Sequence, residues 1–236
     1  LVFQRTQDSS IVRRTAASVE SDIAESGDGE GLRLVGVAPV NNVNHAVILR
    51  YSTDASSATL ERINLLDGSQ ATIAEMARDG VIPARLSISG GYVSGVYLSG
   101  AGAGWTTLSL SSGQRLFGTA NNAQGECDTR SAGCTEAVTI SPQGSTVYRV
   151  AIAEDGEGFD LVLNSAADFA EISRTSLERP ADGWNSTLVE IVGSKVLVSR
   201  SIDADGVGDL PPLVIDPTSG EISQLGRSGR AVVVTG

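Results

Sequence analysis

This chain of 236 residues is expected to be all-β, a β-propeller of about five blades, and three observations lead there. A short apolar run returns roughly every fifty residues, ending at Val37, Ile88, Ile140, Ile191 and Val234. After each of the first four comes a turn, a second alternating run and a third that stops at a polar or Gly-containing turn. No segment carries the sustained three-and-four spacing of a long amphipathic helix. A repeat of this size made only of strands predicts radial sheets about a common axis, in a single domain over residues 1–236.

The blades follow in order. The first, residues 32–75, has an inner strand Leu34–Val37, a turn Pro39–Asn42, strands His45–Ser52 and Leu60–Leu65, the tight turn Asp67-Gly68 and an outer strand Gln70–Ile73. The second, residues 84–120, repeats this with Leu86–Ile88, Gly90-Gly91, Tyr92–Ser99, Trp105–Leu110, Ser112-Gly113 and Gln114–Thr119. The third, residues 135–175, has Val138–Ile140, Ser141–Gly144, Thr146–Ala153, Phe159–Leu163 and Phe169–Ser173. The fourth, residues 186–226, has Leu188–Ile191, Gly193-Ser194, Lys195–Ser201, Pro212–Ile215, Ser219-Gly220 and Glu221–Leu225.

The ends suggest a shared blade. Leu1–Gln7 and Ile11–Thr15 match third and fourth strands, and Arg230–Thr235 matches an inner strand. A closing blade built from residues 1–16 and 228–236 would hide the sheet edges, although its second strand is unaccounted for. Ala17–Gly31, acidic and aperiodic, reads as an exposed loop, and Thr72–Asp79 as one helical turn through Ile73, Met76 and Ala77. The opening Leu1-Val2-Phe3 has no initiator Met and no basic-then-apolar leader, as in a processed or partial product.

Apolar residues make up 41% of the chain but aromatic ones only 4%, so the core must be built from Val, Ile, Leu and Ala. A net charge of −11 opposes binding to nucleic acid or an anionic membrane. No apolar run is long enough for a membrane-spanning helix, so membrane association would come through a partner or a further terminus. Cys127 and Cys134 flank a short Gly-, Ser- and Asp-rich connection that can bring two sulfurs together. A disulfide there places the protein outside the reducing cytoplasm: secreted, periplasmic or at the cell surface.

Strand alternation sorts the inner strands into two phases. Val35, Val37, Leu86, Ile88, Val138, Ile140, Val189, Ile191, Val232 and Val234 are expected to pack; Gly36, Ser87, Thr139, Glu190 and Val233 are expected to face the central channel. That lining holds one carboxylate, whereas glycoside hydrolysis needs a pair. His45, the only histidine, starts a strand and has no nucleophile elbow near it. Trp105 and Trp184 each lie beside a glycine near a blade edge, as recognition aromatics or rim covers. Asn185-Ser186-Thr187 fits a glycosylation acceptor, relevant only in a eukaryotic secretory host.

Ser201-Ile-Asp203-Ala-Asp205-Gly206-Val-Gly-Asp209 sets oxygen side chains at alternate positions around a glycine bend, which suits a hard cation. It resembles the calcium loops of integrin-type propeller repeats, with Ser201 where that pattern prefers Asp. The resemblance implies calcium ligands at Ser201, Asp203, Asp205 and Asp209. Ala137-Val-Thr-Ile-Ser141-Pro-Gln-Gly144-Ser-Thr-Val-Tyr148 resembles the repeat of TolB-type propellers, an inner strand leading through Ser-Pro-Asp-Gly into a second strand, with Gln143 in place of the Asp. The resemblance implies the fold and an extracytoplasmic setting.

The residues thus point to an extracytoplasmic, non-catalytic propeller serving as a protein-interaction or structural module, with a protein partner and inclusion in a larger assembly. Two other classes stand beside it. A propeller hydrolase or lyase acting on a carbohydrate or lactone would require two or more of Glu190, Glu136, Asp182 and His45 to converge. A calcium-dependent adhesion module would use the Ser201–Asp209 loop.

Overall fold

The computed structural model describes residues 1–5, 10–77, 81–99, 102–118, 133–177, 185–201 and 209–226, and every regular element in them is a strand. β1 (Val2–Gln4), β2 (Ile11–Arg14) and β3 (Glu20–Ala24) form a three-stranded sheet. Four sheets of four strands follow. They are β4 (Glu30–Val40), β5 (Val43–Ser52), β6 (Ala58–Asn64) and β7 (Gln70–Glu75); then β8 (Pro83–Ser89), β9 (Tyr92–Ser99), β10 (Gly102–Ser109) and β11 (Arg115–Gly118). Next are β12 (Thr135–Ile140), β13 (Thr146–Ile152), β14 (Phe159–Ser165) and β15 (Glu171–Leu177), then β16 (Asn185–Val192), β17 (Lys195–Ser201), β18 (Asp209–Ile215) and β19 (Ile222–Gln224). Each sheet is a meander in chain order. The fold is a β-propeller of about five blades. Two compact units are distinguished, residues 1–83 with 108–114, and residues 84–107 with 115–236.

In the first unit the middle of the β4–β7 sheet is covered on both faces. Ala46, Val47, Ile48 and Leu49 of β5 are consecutive and all fully buried, so both sides of the strand are covered. Ala46, Ile48 and Leu32 pack with Ile11 and Ala24 of the three-stranded sheet. Burying such aliphatic side chains contributes roughly 1.5–3 kcal/mol each. Arginines then tie sheet to sheet through main-chain carbonyls. Arg13 donates to Leu65, Arg33 to Pro83, and Arg62 to Leu110 at 2.7 Å. Donor and acceptor lie 52, 50 and 48 residues apart, which is one repeat.

Three local expectations are corrected here. The acidic segment read as a loop contains β3, because its charges are neutralised across the sheet: Arg14 faces and bonds Glu20, and Arg5 lies 3.2 Å from Asp22. Thr72–Asp79, read as a helical turn, begins as the edge strand β7, paired with β6 from Gln70 to Glu75. In β4 a bulge between Leu34 and Gly36 puts one extra residue into the strand and shifts the phase. Val37 is therefore 40% exposed, while Ala38 and Val40 are buried.

The bonds from sheet to sheet also reassign the N-terminal strands. Arg13 on β2 bonds the carbonyl just after β6, as Arg62 on β6 bonds the one just after β10. Gln70 of β7 donates to Ile23 of β3. β1, β2 and β3 thus match second, third and fourth strands, one place earlier for β1 and β2 than the sequence pattern suggests. The segment expected to complete a closing blade, residues 228–236, lies outside the described residues, and with it Val232 and Val234.

In the second unit the β12–β15 sheet is likewise buried on both faces. Ala137, Val150 and Leu161 pack on Val189, Val196 and Leu213 of the β16–β19 sheet. Val138, Ile140 and Val147 pack on Val96 and Trp105 of the β8–β11 sheet. The strap recurs: Arg85 donates at 2.6 Å to both the carbonyl and the carboxylate of Glu136, and Ser87 Oγ donates to the Val138 carbonyl. Ala137–Tyr148, the stretch resembling a TolB-type repeat, runs through β12 and its turn into β13, with Ser141 Oγ accepting from Ser145 and Thr146 N–H groups.

Two turn glycines separate backbone strain from crowding. Gly68 and Gly113 have φ of 76° and 70°, but a Cβ on Gly68 would meet nothing within 4 Å, whereas one on Gly113 would lie 2.1 Å from the Ile73 carbonyl oxygen. Gly68→Ala is expected to cost about 1 kcal/mol from φ alone, and Gly113→Ala at least about twice that because backbone must move. Urea unfolding of the two variants checks the order.

Candidate functional site

The turns between third and fourth strands of the four four-stranded sheets are copies of one another. In each, a side-chain oxygen of Asp67, Ser112, Asp168 or Ser219 accepts from the N–H two residues on. In each, the next residue donates its N–H back to a carbonyl at the end of the third strand or just past it: Gly68 to Asn64, Gly113 to Ser109, Phe169 to Ser165 and Gly220 to Asp216. That next residue has a positive φ every time, at 76°, 70°, 61° and 74°. Three are glycine and the fourth is Phe169. A bulky residue in the left-handed region is held there at a cost of roughly 1–2 kcal/mol.

What compensates is a cluster around the ring. Phe169 stacks on Trp105 with centroids 5.6 Å apart and planes at 22°, and the Arg149 guanidinium lies 5.3 Å from the Phe169 centroid. Asn164, buried in β14, joins both: its amide donates to the Phe169 carbonyl at 3.1 Å and its oxygen accepts from Arg149 Nε at 3.0 Å. Arg149 Nη1 donates to Thr135 Oγ1 at 3.0 Å. Trp105 is buried, whereas Phe169 remains 38% exposed and Ile172 on β15 is 58% exposed.

The charges nearby are ordered by Arg174, which donates to Asp160 at 2.7 Å and to Glu171 at 2.7 Å. Ser176 supplies Asp160 with a further bond. Burial pushes the Arg149 pKa down, the neighbouring Arg174 cation adds to this, and Glu171 opposes it. The bonds to Glu171 and Asp160 push Arg174 up, and the Arg174 bond holds the Glu171 carboxyl below its ordinary range. Chemically this is an aromatic platform with a half-desolvated cation, equipped to bind rather than to transfer protons.

The residues singled out from sequence are placed as follows. Ser201 and Asp209 pair across β17 and β18, and the intervening Asp203 and Asp205 lie outside the described residues. Among the described residues no three His, Cys, Asp or Glu side chains gather as a metal would need. Cys134 is buried and is not a free thiol, and Cys127 lies outside the described residues. Ser87 and Thr139 are 4% and 1% exposed, Gly36 and Glu190 are half-buried, and Val233 is outside the described residues. The Glu136 carboxylate is bound by Arg85 at 2.6 Å, His45 Nδ1 lies 2.8 Å from the Val43 carbonyl, and Asp182 and Trp184 are outside the described residues. Asn185 opens β16. Of the residues named in advance only Trp105 belongs to the cluster. Phe169 and Arg149 were missed, although Asp168-Phe169 interrupts a series of Asp-Gly, Ser-Gly and Ser-Gly turns.

Comparison with known proteins supports the fold and goes no further. No family model matches the chain, and no curated protein matches it. Among solved structures it is similar to an oligogalacturonate lyase in complex with manganese, at 11% identity and TM-score 0.62 over 96% of this chain and 61% of that one. It is also similar to a prolyl endopeptidase, at 12% identity and TM-score 0.54 over 94% of this chain and 31% of that one. A weaker likeness, TM-score 0.35 at 12% identity, is to TolB from Acinetobacter baumannii, covering 94% of this chain and 64% of that one. The chain thus spans less than two thirds of the length of each of these proteins.

The turn series yields an unusual stability order. Phe169→Gly relieves the strained φ while losing the stack, so its stability is expected within about 1 kcal/mol of the parent. Phe169→Ala loses the stack and keeps the strain, so it is expected about 1 kcal/mol below the glycine variant. Urea denaturation that ranks alanine at or above glycine refutes the strain argument.

Proposed function

We propose that this chain is an extracytoplasmic, non-catalytic propeller that holds a protein partner, with the Phe169 turn in the contact surface. The observation that carries the reading is the aromatic residue at a left-handed turn position where three sister turns have glycine. Strain of this kind persists where the surroundings over-determine it, and it clusters at binding and switch sites. Phe169 is held rigidly by Trp105, Arg149 and Asn164 yet leaves part of its ring open, the form of a preorganised anchor. Commitment of the Glu136 carboxylate to Arg85 weighs against its use as a catalytic group. The extracytoplasmic part of the reading rests on a Cys127–Cys134 disulfide.

A photo-crosslinking residue at position 169, with controls at positions 66 and 218 of two sister turns, tests the contact in native extracts. The expected outcome is a discrete crosslinked species from position 169 and none from the controls; equal labelling from all three retires the reading. For the compartment, alkylation without reductant is expected to leave both cysteines unmodified, and two alkylated thiols would place the chain in a reducing setting.

A further inference from the structure

We infer that Arg149 receives a carboxylate from an acidic peptide segment of the partner, a Glu or Asp side chain flanked by an apolar residue that lies on the Phe169 ring. This deepens the interaction reading above and rests on it. The inference starts from how the cations are spent. Arg5, Arg14, Arg50, Arg85, Arg174 and Lys195 each have a carboxylate within ion-pair distance. Arg13, Arg33 and Arg62 are spent on carbonyls that tie sheets together. Arg200 bonds the Pro211 carbonyl within its own sheet and Arg115 is exposed, whereas the half-buried Arg149 does none of these.

Arg149 gives Nε to an amide oxygen and Nη1 to a hydroxyl, both neutral, and has no carboxylate partner among the described residues. Its Nη2 makes no hydrogen bond there, and it is not among the buried unsatisfied atoms. One prong of a planar fork is therefore left over, aimed by two bonds that fix the other nitrogens. Glu171, whose charge acts on it, is already held by Arg174, which also takes Asp160. Partial desolvation and the like charge of Arg174 together disfavour the cation more than Glu171 favours it, so a carboxylate that completes the fork relieves it.

The neighbourhood selects a peptide acid over a polyanion. The chain carries a net charge of −11, which repels extended anions, and the cluster offers one guanidinium. The exposed parts of Phe169 and Ile172 supply apolar contact on the same β14–β15 hairpin. Among the described residues β15 is the last strand of its sheet and pairs with β14 alone, so its outer edge offers main-chain groups to an extended segment.

The test titrates the full chain with acetyl-Leu-Glu-Leu-Glu-Leu-amide and with the matching Gln peptide, following the Trp105 indole N–H resonance. The expected result is a saturable shift with the Glu peptide, at least tenfold tighter than with the Gln peptide, and a loss of at least tenfold in R149Q. Equal affinity for the two peptides, unchanged affinity in R149Q, or no saturable shift overturns the inference. The Glu-against-Gln comparison needs no variant, so it decides even if R149Q does not fold. The crosslink at position 169 separates the two readings. A crosslink that persists undiminished in R149Q retires the carboxylate and leaves the interaction; an absent crosslink retires the interaction.

Discussion

Strands buried on both sides impose the central constraint on this chain. The β5 run from Ala46 to Leu49 is fully buried, and β12 is buried along its whole length. A lone sheet with two apolar faces cannot satisfy either one in water, so each needs a neighbour on both sides. Hydrophobic contact alone is non-directional and would let such sheets slide. The arginine donors on β2, β4, β6 and β8 remove that freedom, because each reaches main-chain carbonyl oxygen at a fixed place in the next repeat. Packing supplies the energy and the straps supply the register.

The same logic explains why the cluster sits where it does. Between the β8–β11 and β12–β15 sheets the inner part of the contact is aliphatic, formed by Val96, Val138, Ile140 and Val147. On the β14 and β15 strands the same face becomes polar, through Asp160, Asn164 and Arg174, with cross-strand neighbours set by the register. Asn164 is buried and uses its oxygen and its amide on two different partners, which fixes both the guanidinium and the turn. A polar network that is satisfied in this way rigidifies what it touches.

Much of the architecture was legible because strands are read by period and turns by residue type. The second and third strands of each blade follow from apolar runs such as Val47-Ile48-Leu49, and three of the four outer turns follow from Asp67-Gly68, Ser112-Gly113 and Ser219-Gly220. What escaped was set by residues distant in sequence or out of pattern. β3 looks like a loop until Arg5 and Arg14 are placed opposite its acids. The extra residue in β4 cannot be read from a run whose members are all apolar, yet it exposes Val37. Phe169 was assigned to a strand because an aromatic residue argues for one, whereas its backbone follows the glycine turns.

The straps carry one more implication. An arginine that grips a carbonyl asks nothing of the side chain on the receiving strand, since every residue offers the same oxygen. The receiving positions can therefore accept almost any substitution that keeps the strand, whereas the donor position tolerates none without loosening the joint. Sequence likeness among repeats built this way can fade almost entirely while their mutual spacing is kept.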